Sequence, residues 1–198
     1  MSDLIGVFHN DKNLEYLIKY LDENYSNINS VMLELGPNFK KLKEGRRKYF
    51  NGKLYDFFEI LSDYFEKRGI EIIAGDANGN IIVPETFDLR IFKILVEKEK
   101  RRYPFEEYIL LLKSNFLGIF NNLSSKKRNQ RDKGMLEVYL EKKPDLIIVG
   151  DYHARYLKKN NIDLNYILFR GNSWRENLIS YFYQNSKYKP EKTIIIST

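Results

Sequence analysis

Residues 146–157 read Leu146-Ile147-Ile148-Val149-Gly150-Asp151-Tyr152-His153-Ala154-Arg155-Tyr156-Leu157. Four unbroken apolar residues form a run of strand length, and such a run without alternation predicts a strand covered on both faces. The glycine that follows predicts a sharp exit, because a residue without Cβ tolerates backbone angles that others avoid. His153 is then expected on a loop above the carboxyl end of the strand, with a short helix over 154–159. Strand, exit and helix in this order make one unit of a parallel α/β sheet. In open sheets of that kind ligands bind outside the carboxyl ends of the strands.

The same grammar stands near the start of the chain. A strand is predicted over 4–8 and meets His9, which closes the motif Gly6-Val7-Phe8-His9. Leu14, Leu17, Ile18 and Leu21 then recur at helical spacing, and a second strand, Val31 to Leu35, stops at Gly36-Pro37. The chain holds 2 histidines, and each stands three places after a glycine. This echo predicts two halves related by a pseudo-two-fold.

Between the halves, 39–67 reads as mostly helical, with a buried stripe of Leu54, Phe57, Phe58, Leu61 and Phe65 ended by Gly69. A third strand is predicted at 70–74 and a short extra one at 81–83. A run of helices follows over 87–140, one begun by Pro104, with a break at 121–125. After the second histidine come a strand at 166–169, a helix at 174–183 and a last strand at 193–197. The expected fold class is α/β, with a central mainly parallel or mixed sheet flanked by helices. One domain is expected over 1–198, with a helical cap insertion at 87–142 between the two halves.

Composition narrows the chemistry. A chain of 198 residues buries roughly 70% of the surface its unfolded form exposes, so it needs no staple to fold. It has no cysteine, which excludes a disulfide framework, a thiolate metal site and a catalytic thiol. The first residues carry no basic segment followed by an apolar core, and no run has the length of a membrane span, so a cytoplasmic protein is expected. Lys and Arg number 33 against 27 Asp and Glu, a net charge of +6. The basic clusters at 40–48, 98–102 and 126–133 are not interleaved with aromatics in an RNA-binding pattern, so nucleic acid is an alternative partner without a motif. No phosphate loop, serine elbow or zinc-protease helix motif occurs.

Two imidazoles at strand ends suit ligation of a transition metal or general-base work near neutral pH. Glu34 lies inside the apolar run Val31-Met32-Leu33-Glu34-Leu35, where a carboxylate is costly unless paired or metal-bound. Asp76 follows Ile72-Ile73-Ala74-Gly75 and tops a third strand. Asp151 occupies a variable position of the second motif.

The ordered set Gly6-x-x-His9, Leu33-Glu34-Leu35, Gly75-Asp76, Arg131-Asp132-x-x-Met135 and Gly150-x-x-His153 resembles the TraB/Tiki superfamily. That superfamily is similar to erythromycin esterase and ChaN-like proteins in its paired motifs. The resemblance spans about Leu4 to Leu157. The family's motif carries glutamate where this chain has Gln130, and many TraB-type proteins carry membrane segments that are not found here. The resemblance implies an active site of His9, Glu34 and His153 with Arg131 beside it, Arg131 either stabilising developing negative charge or pairing with a buried acid such as Glu34. It implies hydrolysis of a peptide or ester bond with a divalent transition metal. Manganese, cobalt, zinc or iron suit such donors better than magnesium, and His9, Glu34, Asp76 and His153 are the candidate metal ligands. The substrate is then a peptide or small molecule. The alternative on the same scaffold is a non-catalytic metal- or haem-binding protein.

One geometric expectation follows. The carboxyl ends of the strands carrying His9, Glu34 and His153 share one side of the domain, with Arg131 approaching from the helical insertion. Two imidazoles on one metal would bring their nitrogens within roughly 3–4 Å, given metal–nitrogen distances of about 2.1 Å.

Overall fold

The computed structural model describes residues 2–8, 11–49, 56–77, 125–161, 163–172 and 188–196. Its elements in chain order are β1 (Asp3–Val7), α1 (Asp11–Asn24), β2 (Ser30–Leu33), α2 (Phe39–Tyr49), α3 (Phe57–Glu66), β3 (Glu71–Ala74), α4 (Ser125–Lys142), β4 (Leu146–Gly150), α5 (Asp151–Asn160), β5 (Asn165–Arg170) and β6 (Lys192–Ile195). His9 lies outside the described residues, as do the strand expected at 81–83, the helix expected at 174–183 and residues 87–124 of the expected cap.

The strands form one sheet in the order β3-β2-β4-β1-β5-β6, and every pairing among them is parallel. A parallel sheet needs crossovers, and these place helices on both faces. Alternate residues of each strand therefore enter different cores. Ile5, Val7, Val31, Leu33, Ile148 and Phe169 pack with Leu17, Leu21, Phe58, Leu61 and Phe65 of α1 and α3. Leu4, Met32, Ile147, Val149, Tyr166 and Leu168 pack on the other side with Met135 and Tyr139 of α4 and Ala154 and Leu157 of α5.

The expected helix over 39–67 is divided in two. The side chain of Asp56 caps α3, accepting from the N–H groups of Phe58 and Glu59 at 3.1 Å each. Gly69 ends that helix as expected, at a φ of 70° where glycine alone is unstrained.

The topology gives the sequence echo a spatial form. The connection from β1 to β2 passes over β4, and that from β4 to β5 passes over β1. The order β2-β4-β1-β5 is thus symmetric about an axis between β4 and β1, with α1 and α5 on opposite faces. Val7 stands opposite Gly150 in the register, so the strands that run into the two histidine motifs are immediate neighbours.

Two expectations about the histidine motifs are corrected, and the expected cap is not confirmed. Residues 125–142, assigned to a cap, form a helix on the face of the sheet; Met135 is fully buried and Tyr139 nearly so. His153 does not stand on a loop: α5 begins at Asp151, directly after β4, so the imidazole sits in the helix's first turn. The glycines do not supply unusual backbone angles either. Gly6 lies within β1, and Gly150 has φ −54° and ψ 143°, angles open to any residue. What Gly6 supplies is room, since a Cβ there would meet Tyr166 Cε2 at 2.9 Å and Ala154 Cβ at 3.0 Å.

If α4 is a core element, Met135→Ala should destabilise the protein by about 2–5 kcal/mol, as buried Met-to-Ala changes do. Urea denaturation followed by circular dichroism measures this, and a loss under about 0.5 kcal/mol, the size of an ordinary surface substitution, would show that α4 contributes no core.

Candidate functional site

Glu34 follows directly on β2. Strand alternation puts it on the same face as Met32, the face covered by α4 and α5. Its carboxylate ends at the carboxyl edge of the sheet, where three donors among the described residues meet it. The N–H of Gly150, at the end of β4, donates to Oε2 at 2.8 Å. Arg131 Nη2 of α4 donates to Oε1 at 3.0 Å. His153 Nε2 of α5 lies 3.2 Å from the same oxygen. A carboxylate placed there also faces the positive end of α5, which favours its charge.

Arg131 has a second acid. Its Nε donates to Asp76 Oδ2 at 2.8 Å, and Nη2 is 2.6 Å from that oxygen. Asp76 is positioned by backbone: its N–H donates to Leu35 O at 3.0 Å, and Gly75 N–H donates to Leu33 O at 2.8 Å. A Cβ on Gly75 would come within 2.9 Å of Leu33 O, so glycine is required for this close approach. Burial opposes the guanidinium charge, but Asp76 and Glu34 outweigh it and raise the pKa of Arg131.

Asp132, the next residue of α4, is 1% exposed and faces His153 Nδ1 at 2.5 Å. His153 itself is 8% exposed. Its burial works against the imidazolium, as does Arg131, but the hydrogen bonds to Asp132 and Glu34 and the charge of Glu34 prevail, raising its pKa from 6.5 to about 9. At neutral pH His153 is therefore an imidazolium donating from both nitrogens. The formal charges of Arg131 and His153 against Glu34, Asp76 and Asp132 are two positive and three negative, leaving one negative.

The structure thus brings together Glu34, Asp76, Arg131 and His153 of the expected set. Of the two roles foreseen for Arg131, the geometry gives it pairing with buried acids. Two participants were missed. Asp132 was visible as the neighbour of Arg131 in the Arg-Asp-x-x-Met motif, and a helix can turn both side chains toward one crevice. The Gly150 N–H carries no signal in side-chain identity. Asp151 points elsewhere, accepting from Arg155 Nε at 3.0 Å and from the hydroxyl of Tyr166.

A divalent metal would need lone pairs from the same groups. Arg131 occupies Glu34 Oε1 and Asp76 Oδ2, Gly150 occupies Glu34 Oε2, and both nitrogens of His153 face carboxylates. Among the described residues no group of three or more histidine and acid side chains is arranged to hold a metal ion, although Asp76 Oδ1 and Asp132 Oδ2 are buried and accept no hydrogen bond. The described side chains fit a bound proton and do not by themselves fit a metal; His9, the remaining expected ligand, lies outside them. Of the basic cluster at 126–133, Arg131 belongs to this site, and the side chains of 126–128 lie outside the described residues. Among the described residues no helix is long and apolar enough to cross a membrane.

No family model matches the chain, and neither a curated protein nor a solved structure matches it.

The raised pKa of His153 links the site to stability. A group whose folded pKa lies above its unfolded value of 6.5 stabilises the fold fully below pH 6.5, and that contribution is lost as pH rises through about 9. Urea midpoints measured across this range should show the wild type losing on the order of 3 kcal/mol. In His153→Gln this fall should be absent. Parallel pH profiles in the two proteins would contradict the charged imidazolium.

Proposed function

We propose that the chain is a hydrolase of the TraB/Tiki type acting on a peptide or ester bond, with the Glu34–His153 pair as its working groups. The observation that carries this reading is a buried imidazole held between two carboxylates at the carboxyl edge of a parallel sheet, where ligands of such sheets bind. A histidine kept charged at neutral pH is a proton donor, and hydrolysis of an amide or ester needs one for its leaving group.

In this mechanism the substrate carbonyl approaches Glu34 and His153 at the carboxyl edge of the sheet. Water adds to the carbonyl carbon and gives a proton to Glu34. His153 Nε2 delivers its proton to the departing amine or alkoxide, and the proton held by Glu34 returns to Nε2. Atoms and charge balance over the cycle, and Asp132 keeps the ring oriented throughout. Arg131 and the Gly150 N–H hold Glu34 in place and limit how strong a base it is. The metal-dependent form of the reading needs donors beyond the described residues, with His9 first among them.

The test is a panel of p-nitrophenyl esters and fluorogenic peptides, assayed alongside metal analysis of protein purified without chelator. Turnover is expected in the wild type, falling at least about a hundredfold in Glu34→Gln and in His153→Ala, the scale of a lost acid or base. Metal bound by the wild type and lost in His9→Ala would favour the metal-dependent form. Metal or haem bound by a protein that turns over no member of the panel would support the non-catalytic alternative and sink the hydrolase reading.

A further inference from the structure

We infer that Gly6, Tyr166 and Asp151 form a seat that positions His153, so that the glycine of the first histidine motif serves the histidine of the second. The inference rests on the reading of His153 as a working group, but the seat itself is a matter of geometry.

Tyr166 is the second residue of β5 and is fully buried. Its partner across the ladder is Leu4 of β1, and its ring lies against β1 at Gly6. A Cβ built on Gly6 would stand 2.9 Å from Tyr166 Cε2 and 3.2 Å from its hydroxyl, and 3.0 Å from Ala154 Cβ of α5. Strand and helix both close on this point, and any side chain at 6 must displace one of them. The ring thereby carries its hydroxyl to Asp151 Oδ1, to which it donates. Burial, and then the Asp151 charge, push the phenol above its ordinary range, so it remains a donor.

Asp151 is the first residue of α5 and buried, where a carboxylate is favoured by the helix dipole. Arg155 holds its other oxygen, with Nη2 at 2.8 Å. The first turn of α5 is consequently pinned from two strands. Glu34 after β2 holds the Gly150 N–H at 2.8 Å, and Tyr166 of β5 holds Asp151. His153 is two residues further along the same turn. Its contacts at 2.5 Å to Asp132 and 3.2 Å to Glu34 leave little tolerance for movement of that turn. Tyr166 and Gly6 are accordingly positioning residues, acting through Asp151 and the helix rather than on substrate.

With two histidines in the chain, their ring signals can be assigned in nitrogen-15 spectra of the full protein, using His9→Ala. The wild type should show a strongly downfield Nδ1 proton on His153 at neutral pH. Tyr166→Phe, which keeps the ring and deletes the hydroxyl, should shift or broaden that proton and lower kcat for the best ester about tenfold with KM little changed. Gly6→Ala should do so more severely, and Gly6→Ala combined with Tyr166→Leu should bring the signal back to that of Tyr166→Leu alone. If Gly6→Ala does not fold, Tyr166→Phe decides. A His153 proton in Tyr166→Phe indistinguishable from the wild type would overturn the seat. A displaced proton in a protein whose wild type hydrolyses nothing would support the seat and defeat only the hydrolase reading.

Discussion

A buried carboxylate depends on the donors around it, and Glu34 sets that condition at the centre of this fold. Its side chain is about one-tenth exposed, and leaving such a charge unpaired costs several kcal/mol. Its three donors come from α4, the end of β4 and the first turn of α5. No two of them are close in sequence to Glu34. The acid therefore ties together segments that hydrophobic burial alone would bring near but would not hold in register. Arg131 then extends the demand to Asp76 at the end of β3.

The parallel sheet makes this arrangement available. Every strand points its carboxyl end the same way, so Glu34, Asp76 and Gly150 arrive at one edge with their chain directions already matched. The crossings do the rest. Because β4 lies between β1 and β2, the two histidine motifs follow adjacent strands, and the helices after them fall on opposite faces. Helix α5 docks against β1 because Gly6 has no side chain in the way. Burial of Leu4, Val149, Ala154 and Leu157 in one cluster supplies the driving force, and the missing Cβ sets the distance.

Much of the fold was legible in residue patterns. Leu146-Ile147-Ile148-Val149 and Val31-Met32-Leu33 are strands because continuous apolar runs suit elements covered on both faces, and Gly69 marks a helix end because its left-handed backbone favours glycine. Strand order was not legible: no local pattern says that β4 inserts between β1 and β2, since that depends on which crossovers cover which face. The start of α5 was missed because a glycine before a histidine reads as a turn, whereas Gly150 serves as an N-cap whose N–H is taken by a distant acid. Glu34, Asp76 and Arg131 drew attention as charges beside apolar runs or within a motif. Asp132 stood in the same motif but was given no role, because an acid in a lysine-rich helix looks like surface until the burial of its neighbour Met135 shows which way the helix faces.

The distances around His153 also rank its partners. Asp132 approaches one nitrogen to 2.5 Å, while Glu34 stands 3.2 Å from the other. The longer contact is the one at the strand ends and the one that can yield to an incoming group. If it yields, Glu34 still has Arg131 and the Gly150 N–H, so its charge stays compensated. His153 still has Asp132, so its ring stays oriented and its proton stays available on Nε2. The reverse exchange, opening the Asp132 side, would strand a carboxylate that is 1% exposed and is far more costly. The cluster thus has one side on which a proton can be exchanged at low cost and one on which it cannot. That asymmetry sets the Glu34 side of His153 apart from the Asp132 side, which is buried and held at the shorter distance.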